Sequence, residues 1–500
     1  MPSDQTPNTP PSPYRSSESR PTGLRRGLWI LHNNGVLEPG AVVAPNERLG
    51  WGRTIGLGAQ HVVAMFGATF VFPVLMGLNP QLAIMMSGVA TLLFLAVVKG
   101  RVPSYLGSSA SFVGVATAIQ LQGGTPAQLT GALLVTGAAL FVVGVLIHLV
   151  GSGVIHRVLP PTVTGAVVML IGFNLAPVVA KTYWPQDQWI AVIVMVLVVA
   201  LNVGVRGFIS RIAIFLALII GYLLSFLADK AFGQITSYSA SADAITTHWR
   251  VDWSSVEQAP WFGLPQHTTA EAVGWHLPEF HLAFILISLP VVVALIAENT
   301  GHVKAVSEMT GTNLDGDMGK AIAADGFASM LATGVGAGPT TTYAENIGVM
   351  AATRVYSTAA YVVAAVVAIA FGFSPKFGAI VSATPGGVLG GITVVLYGMI
   401  GLLGAKIWKE NRVDFGNPVN LVPVGAGLII GIGDVTLNLG PVALGGIAFG
   451  TIITIVFFHL ARAIAPARLK DTAGGTNLIL DTPRMYETDA TSDPDSPTDR

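Results

Sequence analysis

The chain has 500 residues, 52% hydrophobic and 11% charged, with 58 glycines and a formal net charge of −1. Soluble domains carry charge on about a quarter of their residues, so this composition excludes a water-soluble globular protein and points to closely packed membrane helices, where small residues let backbones approach. No basic excess points to nucleic acid as a partner, and the lack of cysteine excludes disulfides, thiolate metal sites and a Cys nucleophile.

In chain order, residues 1–24 are polar and rich in Pro and Ser, with no apolar stretch. They read as a disordered tail rather than a signal peptide, extending to about residue 48. A membrane helix needs about 20 mostly apolar residues. Such stretches lie near 54–76, 81–98, 127–150, 160–180, 188–205, 211–228, 280–300, 319–335, 356–374, 378–404, 418–434 and 443–464. Two further apolar segments, 104–120 and 339–354, are short, start beside a proline and carry Gly and small polar residues. Interrupted segments in corresponding places of two halves point to a transporter binding site. Together these predict fourteen spans, followed by a second disordered tail over 467–500.

With the N-terminal tail placed in the cytoplasm, alternate loops on that side carry Lys99, Arg101, Arg157, Arg206, Arg211, Lys304, Lys320, Arg354, Lys406, Lys409 and Arg412. The opposite side keeps Lys181, Lys230, Arg250 and Lys376, and its longest loop, 230–278, is acidic. This positive-inside bias requires both short segments to cross, and it places both termini in the cytoplasm. Three weak echoes fall in the same order in two halves: Pro160–Gly165 with Pro385–Gly390, Ala59-Gln60-His61 with Ala297-Glu298-Asn299, and Phe112–Val115 with Asn346–Val349. Seven spans per half is odd, so the halves are expected to be inverted, an arrangement that serves alternating access.

Ionisable groups within apolar segments are costly, at about 2.5–3.5 kcal/mol at a helix centre on insertion scales, and are functional by default. Glu298 closes the apolar run Leu289–Ala297, and His302 follows one turn later on the same face; the competing reading is a wetted helix end with His302 as its cap. Glu345 follows a Gly-, Thr- and Pro-rich stretch, 334–342, that is poor helix material. It is expected in the first turn of a helix, where a carboxylate suits the dipole and free amides can meet a ligand's carbonyls; simple capping is the alternative. Ala110 and Ser111 lie in the small-residue run of the first short segment, which permits close backbone approach or serves packing alone. Gln60 is placed either to hydrogen-bond a ligand or to bridge helices. Asp325, inside the ninth span, pairs with a neighbouring polar group or relays protons. His61 and His148 read as packing histidines.

The decapeptide Glu345-Asn346-Ile347-Gly348-Val349-Met350-Ala351-Ala352-Thr353-Arg354, with Gln60-His61 and Ala297–His302, resembles the motifs of the nucleobase–ascorbate transporter family. The likeness runs from about Ala44 to Ala465 and looks nearest to the bacterial uracil and pyrimidine permease branch. It implies an all-α polytopic membrane fold of inverted seven-span repeats. A core domain would take 49–152 and 279–376, and a gate domain 153–229 and 377–466. Short β-strands are implied in segments 3 and 10. It further implies that Glu298 and Glu345 bind the base, that backbone around Tyr343 and Ala344 meets its carbonyls, and that His302 serves proton coupling; Asp325 matches an acid that matters in purine-transporting relatives. The expected function is proton symport of a pyrimidine base, uracil or thymine, across the inner membrane without cofactor or metal, with xanthine or uric acid as the alternative cargo and a homodimer as the common state of relatives. Uracil offers N–H donors and carbonyl acceptors on one flat ring, which carboxylates and helix amides complement. One position departs from the pattern: Ala110 stands where uracil permeases of this family carry Phe, which leaves room for a larger ring. No His-x-x-Glu-His or Gly-x-Ser-x-Gly pattern supports an enzyme, and no repeated carbonyl-filter segment supports a channel.

Overall fold

The computed structural model describes residues 28–35, 41–151, 159–206, 208–239, 244–269, 273–439, 442–444 and 446–470. The expectations for 1–24, for Arg157 and for the C-terminal tail beyond Lys470 lie outside these residues. The protein is mostly helical. Its principal helices are α1 (Trp51–Leu75), α2 (Pro80–Val97), α3 (Val113–Leu121), α4 (Pro126–Val150), α5 (Pro161–Phe173), α6 (Gln188–Val199), α7 (Ala213–Phe232), α8 (Leu282–Ser288) and α9 (Val291–Thr310). After them come α10 (Asp315–Thr333), α11 (Ala344–Thr353), α12 (Thr358–Phe371), α13 (Pro375–Ser382), α14 (Gly386–Glu410), α15 (Pro418–Ile432) and α16 (Gly446–Ile464).

Helix starts are written locally. Asn79, Thr125, Ser374 and Asn417 each precede a proline at the first helical position, and each side chain accepts a hydrogen bond from a first-turn N–H. Proline there supplies the helical φ and lacks a donor that would go unpaired, while the cap satisfies another. Among the described residues, eight helical stretches are long and apolar enough to cross a membrane, or nine if the α12–α13 pair, bent by 86°, counts as one. The protein is thus a multi-pass membrane protein.

Close helix pairs are built on glycine. A Cβ on Gly144 of α4 would run into the backbone of Ala323 of α10, and one on Gly319 of α10 into the backbone of His148. These contacts make α4 and α10 an antiparallel pair. In the same way Gly172 of α5 lies on Gly401 of α14, and Gly88 of α2 lies on Ala365 of α12. Without a hydrophobic drive between helices in lipid, such backbone-to-backbone packing supplies the attraction.

The two short segments are joined. The strands in chain order are β1 (Ile30–Leu31), β2 (Glu47–Arg48), β3 (Leu106–Ser108), β4 (Ile235–Ser239), β5 (Ala244–His248), β6 (Thr340–Thr342), β7 (Leu437–Leu439) and β8 (Val442–Leu444); β3 pairs antiparallel with β6, with Leu106 opposite Thr342 and Ser108 opposite Thr340. Each of this pair then feeds a short helix, α3 or α11.

Three expectations change, and the long acidic loop gains internal structure. Residues 378–404 are not one span, because the chain breaks at Ala383–Pro385 between α13 and α14; proline disfavours a helical residue before it. The tail does not extend to 48: Val43 bridges Val355, and Trp29 Nε1 donates to Thr358 Oγ1 at 2.8 Å, pinning this segment to the start of α12. The 230–278 loop carries a hairpin, Ile235–Ser239 with Ala244–His248. His148 is exposed in the last turn of α4 rather than packed.

Candidate functional site

The strand crossing sets the site. Two hydrogen bonds extend the β3–β6 ladder, Ser109 N to Pro339 O and Tyr343 N to Tyr105 O. Gly107 is required at the crossing, because any Cβ would enter the Tyr343 ring. That ring is buried; its hydroxyl donates to Ser108 O at 2.8 Å and accepts from Thr69 Oγ1 at 3.2 Å. Tyr343 therefore locks the crossing to α1. Just beyond it α11 begins with no hydrogen bond from an N-cap side chain; Ala344 is exposed, and Glu345, half-buried in the first turn, turns its carboxylate onto its own backbone N–H.

Facing this helix end, Ser111 Oγ donates to Glu298 Oε2 of α9 at 3.4 Å. Glu298 lies near enough to Glu345 and Asp325 to interact with both charges. Glu298, Glu345, His302, Ala110 and Ser111 are all half-buried.

Beneath them lies a buried polar layer. Asn299 Nδ2 donates to Leu295 O at 2.9 Å and to Asp325 Oδ2 at 2.6 Å, which fixes the amide orientation and leaves Oδ1 as an acceptor. Thr342 Oγ1 donates to that oxygen at 3.1 Å. With its one proton committed, the Thr342 hydroxyl accepts from His302 Nδ1 at 2.7 Å. The ring proton of neutral His302 thus sits on Nδ1, and Nε2 is left free. A continuous chain runs from His302 through Thr342 and Asn299 to Asp325.

Eight of the nine candidate residues gather here: Ala110, Ser111, Glu298, His302, Asp325, Tyr343, Ala344 and Glu345. Gln60 is half-buried on α1 and makes no hydrogen bond to them. Its neighbour His61 is buried, stacks on Tyr361 at 4.3 Å, and accepts at its carbonyl from Asn346 Nδ2 at 3.0 Å. Sequence reasoning missed Asn299 and Thr342; the signal was their place inside motifs already singled out. No group of three or more His, Asp or Glu able to hold a metal occurs among the described residues.

Residues 52–440 match the xanthine and uracil permease model, described as a permease family. The chain belongs to the nucleobase–ascorbate transporter family. The family is one of permeases, not enzymes. The chain is 46% identical over 437 residues to the pyrimidine permease RutG of Escherichia coli (strain K12), covering 86% of this chain and 93% of that one. It is 34% identical over 437 residues to the uracil permease of Paenibacillus larvae subsp. larvae, covering 84% and 97%. Among solved structures, the murine Slc26a9 anion transporter in its inward-facing state matches with a TM-score of 0.55 at 12% identity, over 81% of this chain and 67% of that one. At that identity the likeness speaks for the fold alone.

Proposed function

We propose that this permease imports a pyrimidine nucleobase, uracil or thymine, by proton symport through alternating access across the inner membrane, with both termini cytoplasmic. The observation that carries the reading is the convergence of Glu298, Glu345, Ser111 and the start of α11 at the β3–β6 crossing. Carboxylates accept from the ring N–H groups, and the Ala344 amide at the start of α11 donates to a ring carbonyl. The names of the relatives support a pyrimidine as cargo.

Coupling follows from the same groups. Carboxyls within mutual electrostatic reach take up or release protons according to what else hydrogen-bonds them, and the hydrogen-bonded chain from His302 to Asp325 ties the orientation of the imidazole to the buried carboxyl. Pairing supports two inverted seven-span halves. Exchanging spans one to seven with eight to fourteen turns the α4–α10 pair into the α12–α2 pair and returns β3–β6 and α5–α14 to themselves.

The test is uptake of radiolabelled uracil into cells lacking base permeases, with unlabelled bases as competitors and an uncoupler. Uptake that the uncoupler abolishes and thymine competes is expected. Uptake indifferent to the uncoupler rejects proton coupling, and competition by xanthine alone rejects the pyrimidine.

A further inference from the structure

A second cavity, of about 400 Å³, lies at the end of α1 away from the N-terminal segment, where Val74 faces the link between α13 and α14. One wall is rigid. Arg250 Nε donates to Asp187 Oδ2 at 2.7 Å and Nη1 to Asp229 Oδ1 at 3.1 Å, all three side chains largely buried. Asp187 also accepts from the N–H groups of Trp189 and Ile190 at the start of α6. Both acids are therefore committed to the wall.

The remaining groups are not. Helix α14 starts behind Pro385 with no side-chain cap, leaving the N–H groups of Gly386 and Gly387 as donors. The Gln186 amide packs directly against Gly386 at this helix start. Asp252 is exposed at the rim and accepts from Ser254 N at 2.9 Å. Its hydrogen bonds with Ser254 hold its carboxyl below the ordinary carboxylate range, so it is anionic at neutral pH. Tyr183 and the half-exposed Trp249 add flat apolar surface. An uncapped helix start and an acceptor carboxylate lining one cavity repeat the chemistry proposed for the Glu345 site, and the volume falls in the usual ligand-pocket range of about 300–1,000 Å³.

We propose that this cavity is a vestibular binding site for a flat, uncharged heterocycle bearing adjacent N–H and C=O groups, the transported base itself, held between Asp252 and the start of α14 against Trp249. The assignment rests on the transport function proposed above. Because Asp252 and Trp249 remain solvent-exposed, their contacts compete with water, and this site binds more weakly than the one at Glu345.

Equilibrium dialysis of purified full-length protein against radiolabelled uracil tests it. The parent is expected to bind in two phases, the weaker by about tenfold or more. Glu345→Ala should remove the tight phase and keep the weak one. In that background Asp252→Asn and Trp249→Ala should each weaken what remains by about tenfold. Neither substitution opens the core, and a thermal melt confirms folding. A single phase lost entirely in Glu345→Ala, or a weak phase indifferent to both further substitutions, overturns the vestibule while leaving the transport reading intact. No binding of uracil or thymine by the parent overturns both.

Discussion

Glu345 and Glu298 divide the work at the site. In the proposed binding mode Glu345 accepts from a ring N–H at the start of α11, and a hydrogen bond to a charged group is worth about 1.5–3 kcal/mol. Glu345→Ala should therefore remove the tight phase of uracil binding, a loss of about a hundredfold at the upper end of that range, read by dialysis, and unchanged affinity would remove Glu345 from the site. Thr342→Val deletes both hydrogen bonds of the relay while nearly preserving shape. It leaves Asn299 Oδ1 and His302 Nδ1 without their partner, so a stability loss of about 1–3 kcal/mol is expected, seen as a lower thermal midpoint. Ala110→Phe fills the space beside Ser111 and should narrow competition toward uracil; a competition profile with thymine and xanthine that does not move would reject that role. The carboxylates and His302 were legible from sequence, because a charge in an apolar run is conspicuous by itself. Asn299 and Thr342 were not, since their meeting depends on how the second strand lies against α9, 43 residues earlier in the chain.

Glycine at the helix contacts decides how elements pack. Gly144→Ala places a methyl against the backbone of Ala323, and overpacking of this kind costs about 1–3 kcal/mol. Gly425→Ala, on α15, meets nothing within 4 Å and gains helix propensity. The same chemical change should thus lower the thermal midpoint at one position and leave or raise it at the other; equal effects would contradict the close α4–α10 contact. On the loop side, Arg250→Ala strands two buried acids, and breaking a buried pair costs about 3–5 kcal/mol. A midpoint matching the parent would show that the Asp187–Arg250–Asp229 cluster does not hold the hairpin to α6 and α7. Helix starts were readable from cap-and-proline pairs. The Ala383–Pro385 break was marked by a proline, yet apolar residues on both sides concealed it. The arginine cluster was hidden because Asp187 lies 63 residues from its partner.

At the scale of the whole molecule, the absence of cysteine makes orientation directly measurable. A single cysteine at Ser255, in the long acidic loop, should react in intact cells with an impermeant thiol reagent, and one at Thr312, between α9 and α10, only after the membrane is opened. The reverse pattern would turn the molecule over. In the proposed alternating-access cycle, the pairing of helices would let the two bundles move against each other while the β3–β6 crossing keeps the glutamates in place. Composition gave the membrane and the short segments gave the site. How the halves interleave lay beyond the sequence, because glycine contacts between distant helices determine it.

The most direct test of coupled transport at these glutamates is uracil movement in proteoliposomes with an imposed proton gradient. The parent should accumulate uracil above its external concentration and carry protons inward with it. Glu298→Gln should still exchange labelled for unlabelled uracil but fail to accumulate it. Gradient-driven accumulation by Glu298→Gln at the parental level would contradict the account.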